Sequence, residues 1–258
     1  MKIKKVIIII LTALAILVIL AVFFFLLFSQ SHRGLPLSEK EVSQLTRLAE
    51  SGDIGACRCL SAYYVEDDEK ALYWLRKGTE YGDPTAQYNL YSELKNKSAE
   101  DKKEAVELLK KAAVQNYCTA QWTLGQLHRD GDIVERNLKK AEYWLRRAIN
   151  NGCDLAMIDL SKLLAETRHD ETGLVEAYQL LGFLLYQSNS GSTFAKNLRQ
   201  QQEIIIEKAK KQGVDVATMK RKAKLQVEKL KKTIPHKKAE TPDEFFNDCL
   251  KKIGSSRK

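Results

Sequence analysis

Length, composition and charge narrow the class of protein. The chain has 258 residues, a net charge of +9 and 44% apolar residues, which suits one anchor plus one modest domain or repeat array. Four prolines stand among many charged, helix-favouring residues, so we predict an all-helical body. The five cysteines include no CxxC pair, which leaves a zinc ribbon or a thioredoxin-type site without support. We interpret them as structural thiols, and the sequence leaves open whether any two of them form a disulfide.

The first segment, residues 1–33, is predicted to be a membrane anchor. Residues 6–28 form an apolar run in which Thr12 is the one polar side chain. As a helix this run would be about 34 Å long, enough to cross a hydrocarbon core of ~30 Å. It is longer than the apolar region of a cleaved signal peptide, the alternative interpretation, and no Ala-x-Ala cleavage site follows it. Lys2, Lys4 and Lys5 precede the run, which favours a cytoplasmic N-terminus and, in a Gram-negative bacterium, a body in the periplasm.

Residues 34–193 contain an internal repeat. Four segments carry an alanine followed four residues later by a leucine, and each precedes a second helical stretch with its own alanine. An alanine and a leucine four apart share one helical face, where the small residue lets a neighbouring helix approach and the large one fills the space between them. One such hairpin cannot bury its apolar stripe alone, so we expect the hairpins to stack. The first-helix alanines are Ala56, Ala86, Ala120 and Ala156, and the second-helix alanines are Ala71, Ala105, Ala141 and Ala177.

Turn residues mark where the predicted helices end and begin. Gly82, Asn116 and Gly152 are suited to the left-handed conformation that ends a helix. Asp83 followed by Pro84 is typical of an N-cap and a first helical residue. The hairpins of the repeat therefore have defined boundaries.

The repeated units resemble a known family. The stretches GDPTAQYNL from Gly82, EAVELLKKAA from Glu104, TAQWTLGQLHRDG from Thr119 and KKAEYWLRRAINNG from Lys139 look like Sel-1-like repeats, a tetratricopeptide-like family, and the resemblance covers residues 45–185. It implies an α-solenoid of about four hairpins, with the first helices on the concave face and the second helices on the convex face. Leu184 replaces a small residue of the fourth unit, so we expect that hairpin to pack on something other than another repeat.

Residues 194–258 form a basic extension. They carry 18 Lys and Arg against 8 Asp and Glu, whereas residues 34–193 carry 20 against 25. We predict extra C-terminal helices at 194–211, 214–232 and 242–253. The lysine run of the second helix is either a solvated face or an electrostatic patch for an acidic protein or anionic lipid headgroups. It lacks interleaved aromatics, so we expect no nucleic acid partner. The apolar anchors predicted here are Phe194, Leu198, Ile205 and Ala209 in the first helix and Met219, Leu225 and Leu230 in the second.

No catalytic motif is present in the sequence. There is no GxSxG elbow, HExxH, P-loop or GxGxxG, and the four histidines lie far apart without metal-ligand spacing. Asp130 and Asp132 flank Gly131 as ordinary turn-forming residues do. We therefore predict a protein that is not an enzyme and needs no metal or cofactor.

A protein partner is expected to contact the first helices on the face opposite the alanine–leucine stripe. Offsets of two, six and nine residues from each alanine point away from that stripe at ~100° per residue. Tyrosine, tryptophan and arginine among them are residue types that dominate interface hot spots, although an aromatic at the first offset also commonly packs between repeats. The predicted contact residues are Arg58, Tyr88, Ser92, Lys95, Trp122, Gln126, Arg129, Ile158 and Lys162.

Two non-enzymatic functions fit this organisation. The resemblance extends to anchored bacterial envelope proteins that neutralise secreted toxins, notably lipase-type effectors of type VI secretion, and this implies an immunity protein. The alternative is an adaptor or scaffold for an envelope protein complex. The partner is accordingly a toxin or a subunit of that complex, and the anchor places the chain in the inner membrane.

Overall fold

The computed structural model describes residues 37–168, 170–233 and 242–255, which fold into α-helices without any strand. The predicted membrane span at residues 6–28 lies outside these residues. None of the helices within the described ranges combines the length and the apolar character needed to cross a membrane. The helices are α1 (Glu39–Glu50), α2 (Ile54–Tyr63), α3 (Asp68–Glu80), α4 (Pro84–Leu94), α5 (Ala99–Val114), α6 (Cys118–Asp130), α7 (Leu138–Asn150), α8 (Leu155–Thr167), α9 (Glu171–Gln187), α10 (Thr193–Lys211), α11 (Val216–Thr233) and α12 (Pro242–Ser255).

The chain divides into two compact units. The first contains residues up to Lys77 and from Thr241 onward, and the second is Gly78–Glu240. The boundary falls within α3. The basic extension predicted at residues 194–258 is thus shared between the units, because α10 and α11 belong to the second and α12 belongs to the first.

In the first unit, α12 packs against α1 and α2. A disulfide joins Cys59 on α2 to Cys249 on α12, 190 residues apart in sequence. Next to it, Lys252 Nζ donates to Asp53 Oδ1 at 3.0 Å. The favoured interpretation as structural thiols does not hold for this pair; the sequence left a disulfide open, and the folded chain forms one because it brings α12 onto α2.

In the second unit, the hairpins α4–α5, α6–α7 and α8–α9 pack in succession. The six predicted alanines of these hairpins are all at most 2% exposed, which confirms the register of the repeat. Gly125 on α6 also lets the neighbouring helix approach closely, because a Cβ there would lie 2.7 Å from Leu145 Cγ on α7. In the preceding repeat, Tyr91 of α4 occupies the position that corresponds to Gly125, and Tyr91 is buried.

The helix ends follow the predicted turn signals. Gly82, Asn116 and Gly152 have φ values of +84°, +65° and +89°, in the left-handed region. Asp83 caps α4, accepting from the backbone N–H groups of Thr85 and Ala86 at 3.1 and 3.2 Å. These ends fix where each first helix begins, and so which side chains share its outer face.

The last hairpin meets the extra helices. Leu184 is buried, and α9 packs against α10 and α11. Two predicted anchors are exposed instead, Phe194 at 39% and Leu225 at 63%. The prediction for Leu225 was wrong because the buried face of α11 runs through Met219, Ala223 and Val227, four residues apart, and a side chain midway between the last two points outward.

Candidate functional site

Three of the predicted contact residues meet on one carboxylate. Trp122 Nε1 donates to Asp159 Oδ2 at 2.6 Å, Gln126 Nε2 donates to the same oxygen at 2.9 Å, and Arg129 Nη1 donates to Oδ1 at 2.8 Å. Asp159 lies on α8 and is 7% exposed, whereas its three donors lie on α6. The carboxylate therefore ties together two first helices of consecutive repeats.

Arg129 has a second acidic partner. Its Nε and Nη2 donate to Asp130 at 2.7 and 3.2 Å. The hydrogen bond to Asp130 raises the pKa of Arg129; burial acts against this rise, and the bond to Asp159 adds to it. The guanidinium therefore stays charged and compensates the buried carboxylate. The polar groups of α6 are engaged within the chain, and a partner would meet the outer parts of half-buried side chains.

Asp159 was not among the predicted site residues. A signal for it exists, because Asp159 is the one acidic residue in the otherwise apolar stretch LAMIDL from Leu155. Its offset of three from Ala156 was not one of the three offsets used to define the face. A buried acid requires donors nearby, so this residue could have identified Trp122 and Arg129 as its partners.

Tyr88, one of the predicted contact residues of α4, belongs to an aromatic cluster. The Tyr88 ring lies 5.9 Å from that of Tyr91 and 5.5 Å from that of Tyr117, between ring centroids. Burial, with Tyr88 and Asp132 nearby, raises the pKa of Tyr91 to about 12. Lys95 Nζ lies 5.6 Å from the Tyr91 ring centroid. Tyr88 thus packs between repeats, and Lys95 is held at the end of α4.

Lys95 also lines a cleft of about 620 Å³ between the α4–α5 turn, α5 and the α6–α7 loop. Lys102 and Lys103 are exposed at its edge. One of its two carboxylates, Glu107, accepts from Lys110 Nζ at 2.7 Å, so positive charge predominates. The cleft was not predicted, because its walls come from three separate segments, namely the α4–α5 turn, helix α5 and the α6–α7 loop of the next repeat. Its basic residues are Lys95, Lys102 and Lys103, its apolar residues include Ala99, Val106 and Ile133, and its acidic residues are Glu107 and Asp132.

The remaining predicted contact residues differ in exposure and position. Lys162 is exposed on α8, Ser92 is half-buried on α4, and Ile158 packs against the apolar core. Arg58 is half-buried on α2 and belongs to the first unit. Among the residues that the structure describes, no group of His, Cys, Asp and Glu side chains has the arrangement of a metal site.

Comparison with known proteins identifies the repeat. Residues 57–83, 84–117 and 119–153 match the Sel1 repeat, so the chain contains three Sel1 repeats, in the hairpins α2–α3, α4–α5 and α6–α7. A search of curated proteins gave no match. Stacked helical repeats present extended surfaces to other proteins, and the part of the chain that the structure describes is accordingly an all-helical repeat array of the kind that mediates protein–protein interaction.

Two solved structures are similar to the chain. One is a protective antigen of uropathogenic Escherichia coli that displays an SLR fold, with a TM-score of 0.60 and 23% identity over 81% of this chain and 43% of that one. The other is a Sel1 repeat protein from Oxalobacter formigenes, with a TM-score of 0.45 and 27% identity over 48% of this chain and 98% of that one. The chain thus spans less than half of the length of the antigen.

Proposed function

We propose that the chain is a non-enzymatic, membrane-anchored protein whose Sel1 repeats bind and neutralise a secreted toxin. The observation that carries this proposal is the lysine cleft beside the first-helix face, which is lined by Lys95, Lys102 and Lys103 together with apolar residues. Surfaces that bind another protein commonly combine an apolar core with a polar rim. Lipase-type effectors of type VI secretion are the first toxin class to test.

The charge of the cleft defines the chemistry of the partner. Lys95, Lys102 and Lys103 favour an acidic segment of the toxin, whose apolar side chains could enter between Val106 and Ile133. The exposed Lys220, Arg221 and Lys224 of α11 add a second positive surface. We propose that this surface speeds the encounter with an acidic protein or holds the chain near anionic lipid.

The inner membrane is the proposed location, with the body in the periplasm. Residues 6–28 have the length and composition of a span, and the lysines before it favour a cytoplasmic N-terminus. The Cys59–Cys249 disulfide supports a periplasmic location of the body, because disulfides persist in oxidising compartments. A reporter active only in the periplasm, fused after Lys258, should give signal. Signal from a cytoplasmic reporter alone would overturn this location.

An adaptor or scaffold for an envelope complex is the second candidate function. The observation that favours it is a further set of exposed aromatic rings, Tyr143 on α7 and Tyr186 on α9. Each ring is accompanied by a cation, Arg147 at 5.8 Å and Lys231 at 3.8 Å from the ring centroid. A scaffold needs two contact faces, and these second helices supply one besides the first-helix face.

Survival of toxin exposure separates the two functions. Cells that make the full chain should survive a toxin encoded next to its gene, delivered to the periplasm, and cells without it should die. A photo-crosslinking residue at Lys102, at the edge of the lysine cleft, should then capture the toxin, and one at Tyr143 should capture much less. Equal death with and without the chain, together with capture of envelope subunits from both positions, would refute immunity and support the scaffold.

A further inference from the structure

The first helices α6 and α8 begin beside one another. Cys118 is the first residue of α6, and Cys153 directly precedes the N-cap of α8. Two hydrogen bonds tie the flanking residues together. Arg147 Nη2 donates to Asn116 Oδ1 at 2.7 Å, and Asn151 Nδ2 donates to Gln121 Oε1 at 2.9 Å. Asn116 and Gln121 lie on either side of Cys118, and both of their partners precede Cys153, so the two hydrogen bonds hold the segments that carry the two cysteines next to each other.

The two thiols themselves are in contact. Cys118 and Cys153 share a side-chain hydrogen bond, and both residues are half-buried. That hydrogen bond, together with burial, raises the pKa of Cys153. Cys57, by contrast, is a buried thiol. The contacting pair is thus partly accessible to solvent, as a reagent would require.

We propose that Cys118 and Cys153 form a second, reversible disulfide that links two consecutive repeats. The reagent class is a disulfide donor, either a small oxidised thiol or a protein with an exposed disulfide. This inference does not depend on which partner the repeats bind. It concerns a bond between repeats, whereas the Cys59–Cys249 bond joins α2 to α12 in the first unit.

The exchange proceeds in two balanced steps. One cysteine loses its proton, and its thiolate attacks the donor disulfide, forming a mixed disulfide and releasing one donor thiol. The second thiolate then attacks the protein sulfur of the mixed disulfide and releases the other donor thiol. Two electrons pass to the donor, whose two released sulfurs take up the two protons. The raised pKa of Cys153 lowers its thiolate fraction, so exchange should accelerate as pH rises above neutral.

The bond would strengthen the first-helix face. Trp122 lies four residues after Cys118, and Asp159 lies six residues after Cys153, so the disulfide would fasten the same two helices that Asp159 joins. Closing a loop of about 35 residues restricts the unfolded chain, and for a protein of this size the melting temperature should rise by about 5–10 °C.

The test uses the full chain in detergent micelles, incubated with oxidised glutathione, alkylated and digested with trypsin without reduction. Cleavage places Cys118 in residues 112–129 and Cys153 in residues 148–162, and cleavage after Arg58 separates Cys57 from Cys59. The expected product is one peptide joining 112–129 to 148–162, lighter by two hydrogens than the reduced pair. Cys118→Ser should abolish this peptide and the rise in melting temperature, whereas Cys57→Ser should preserve both.

Other products would overturn the proposal. These are recovery of both peptides as separate alkylated or glutathionylated species, or linkage of either one to Cys57. If the joined peptide forms but the melting temperature does not change, the disulfide exists and its proposed stabilisation of the repeats is refuted.

Discussion

Replacing Asp159 with asparagine changes one group and disturbs three hydrogen bonds. Asparagine has a single acceptor oxygen and a nitrogen that only donates. Whichever way the amide turns, its nitrogen faces either Arg129 Nη1 or the donors of Trp122 and Gln126. The substitution also removes the charge that compensates Arg129.

The size of the effect follows from these contacts. A hydrogen bond to a charged group contributes about 1.5–3 kcal/mol, and removing one partner of a buried ion pair costs about 3–5 kcal/mol. Arg129 keeps Asp130 as a partner and its side chain is 23% exposed, so the cost should fall below the upper limit. We expect Asp159→Asn to lower the free energy of unfolding by about 2–4 kcal/mol.

Urea denaturation followed by circular dichroism measures this change, and Asp130→Asn is the matched control. Asp130 contacts the same guanidinium, but its side chain is 54% exposed, and exposed ion pairs contribute about 0–1 kcal/mol. Equal losses in the two variants, or a loss under about 1 kcal/mol for Asp159→Asn, would refute the assignment of Asp159 as the link between α6 and α8.

Three further predictions concern packing, pH and the basic helix. Ala120→Arg places a charge at a fully buried helix contact and should lower the free energy of unfolding by about 3 kcal/mol or more. The control Ala217→Arg, on an exposed turn of α11, should change the free energy of unfolding little. Similar urea midpoints for the two variants would contradict the repeat register. Burial raises the pKa of Asp53, but hydrogen bonds from the Ala56 backbone and Lys252 outweigh it and leave the pKa lowered, so this stabilisation is present above about pH 4 and is lost as pH falls through the folded pKa. Asp53→Asn should therefore be destabilising at neutral pH and nearly neutral at the acid end; a constant difference in unfolding free energy across pH would contradict this. Neutralising Lys220, Arg221 and Lys224 together should slow association with an acidic partner by an amount that shrinks as salt rises, and stopped-flow rates independent of salt would exclude electrostatic steering.

The hairpins were predictable because their signals are local. An alanine four residues before a leucine defines a helical face, and Gly82, Asn116 and Gly152 end helices through their own backbone conformation. The three extra helices α10 to α12 were also predicted close to their observed bounds, since proline and glycine separate them. Helix α1 was not predicted, although Ser38 and Glu41 form a capping box at its start.

The arrangement of the site depends on contacts between distant residues. The offsets placed Trp122, Gln126 and Arg129 on one face of α6, but they could not show that Asp159 of the next repeat accepts from all three. The disulfide between Cys59 and Cys249 was missed because no local pattern relates residues 190 apart. The cleft was missed for a similar reason, since the walls come from three separate segments.

The central claim is that the second unit binds its partner through the lysine cleft beside the first-helix face. The most direct measurement is the dissociation constant of the captured partner for two charge-reversed variants of the full chain. One carries Lys102→Glu and Lys103→Glu in the cleft, and the other carries Lys139→Glu and Lys140→Glu, which are also exposed and lie on α7. The cleft variant should bind at least about tenfold more weakly, a loss of ~1.4 kcal/mol, while the α7 variant should bind nearly as the unmodified chain does. An unchanged dissociation constant for the cleft variant, with weakened binding for the α7 variant, would contradict the claim.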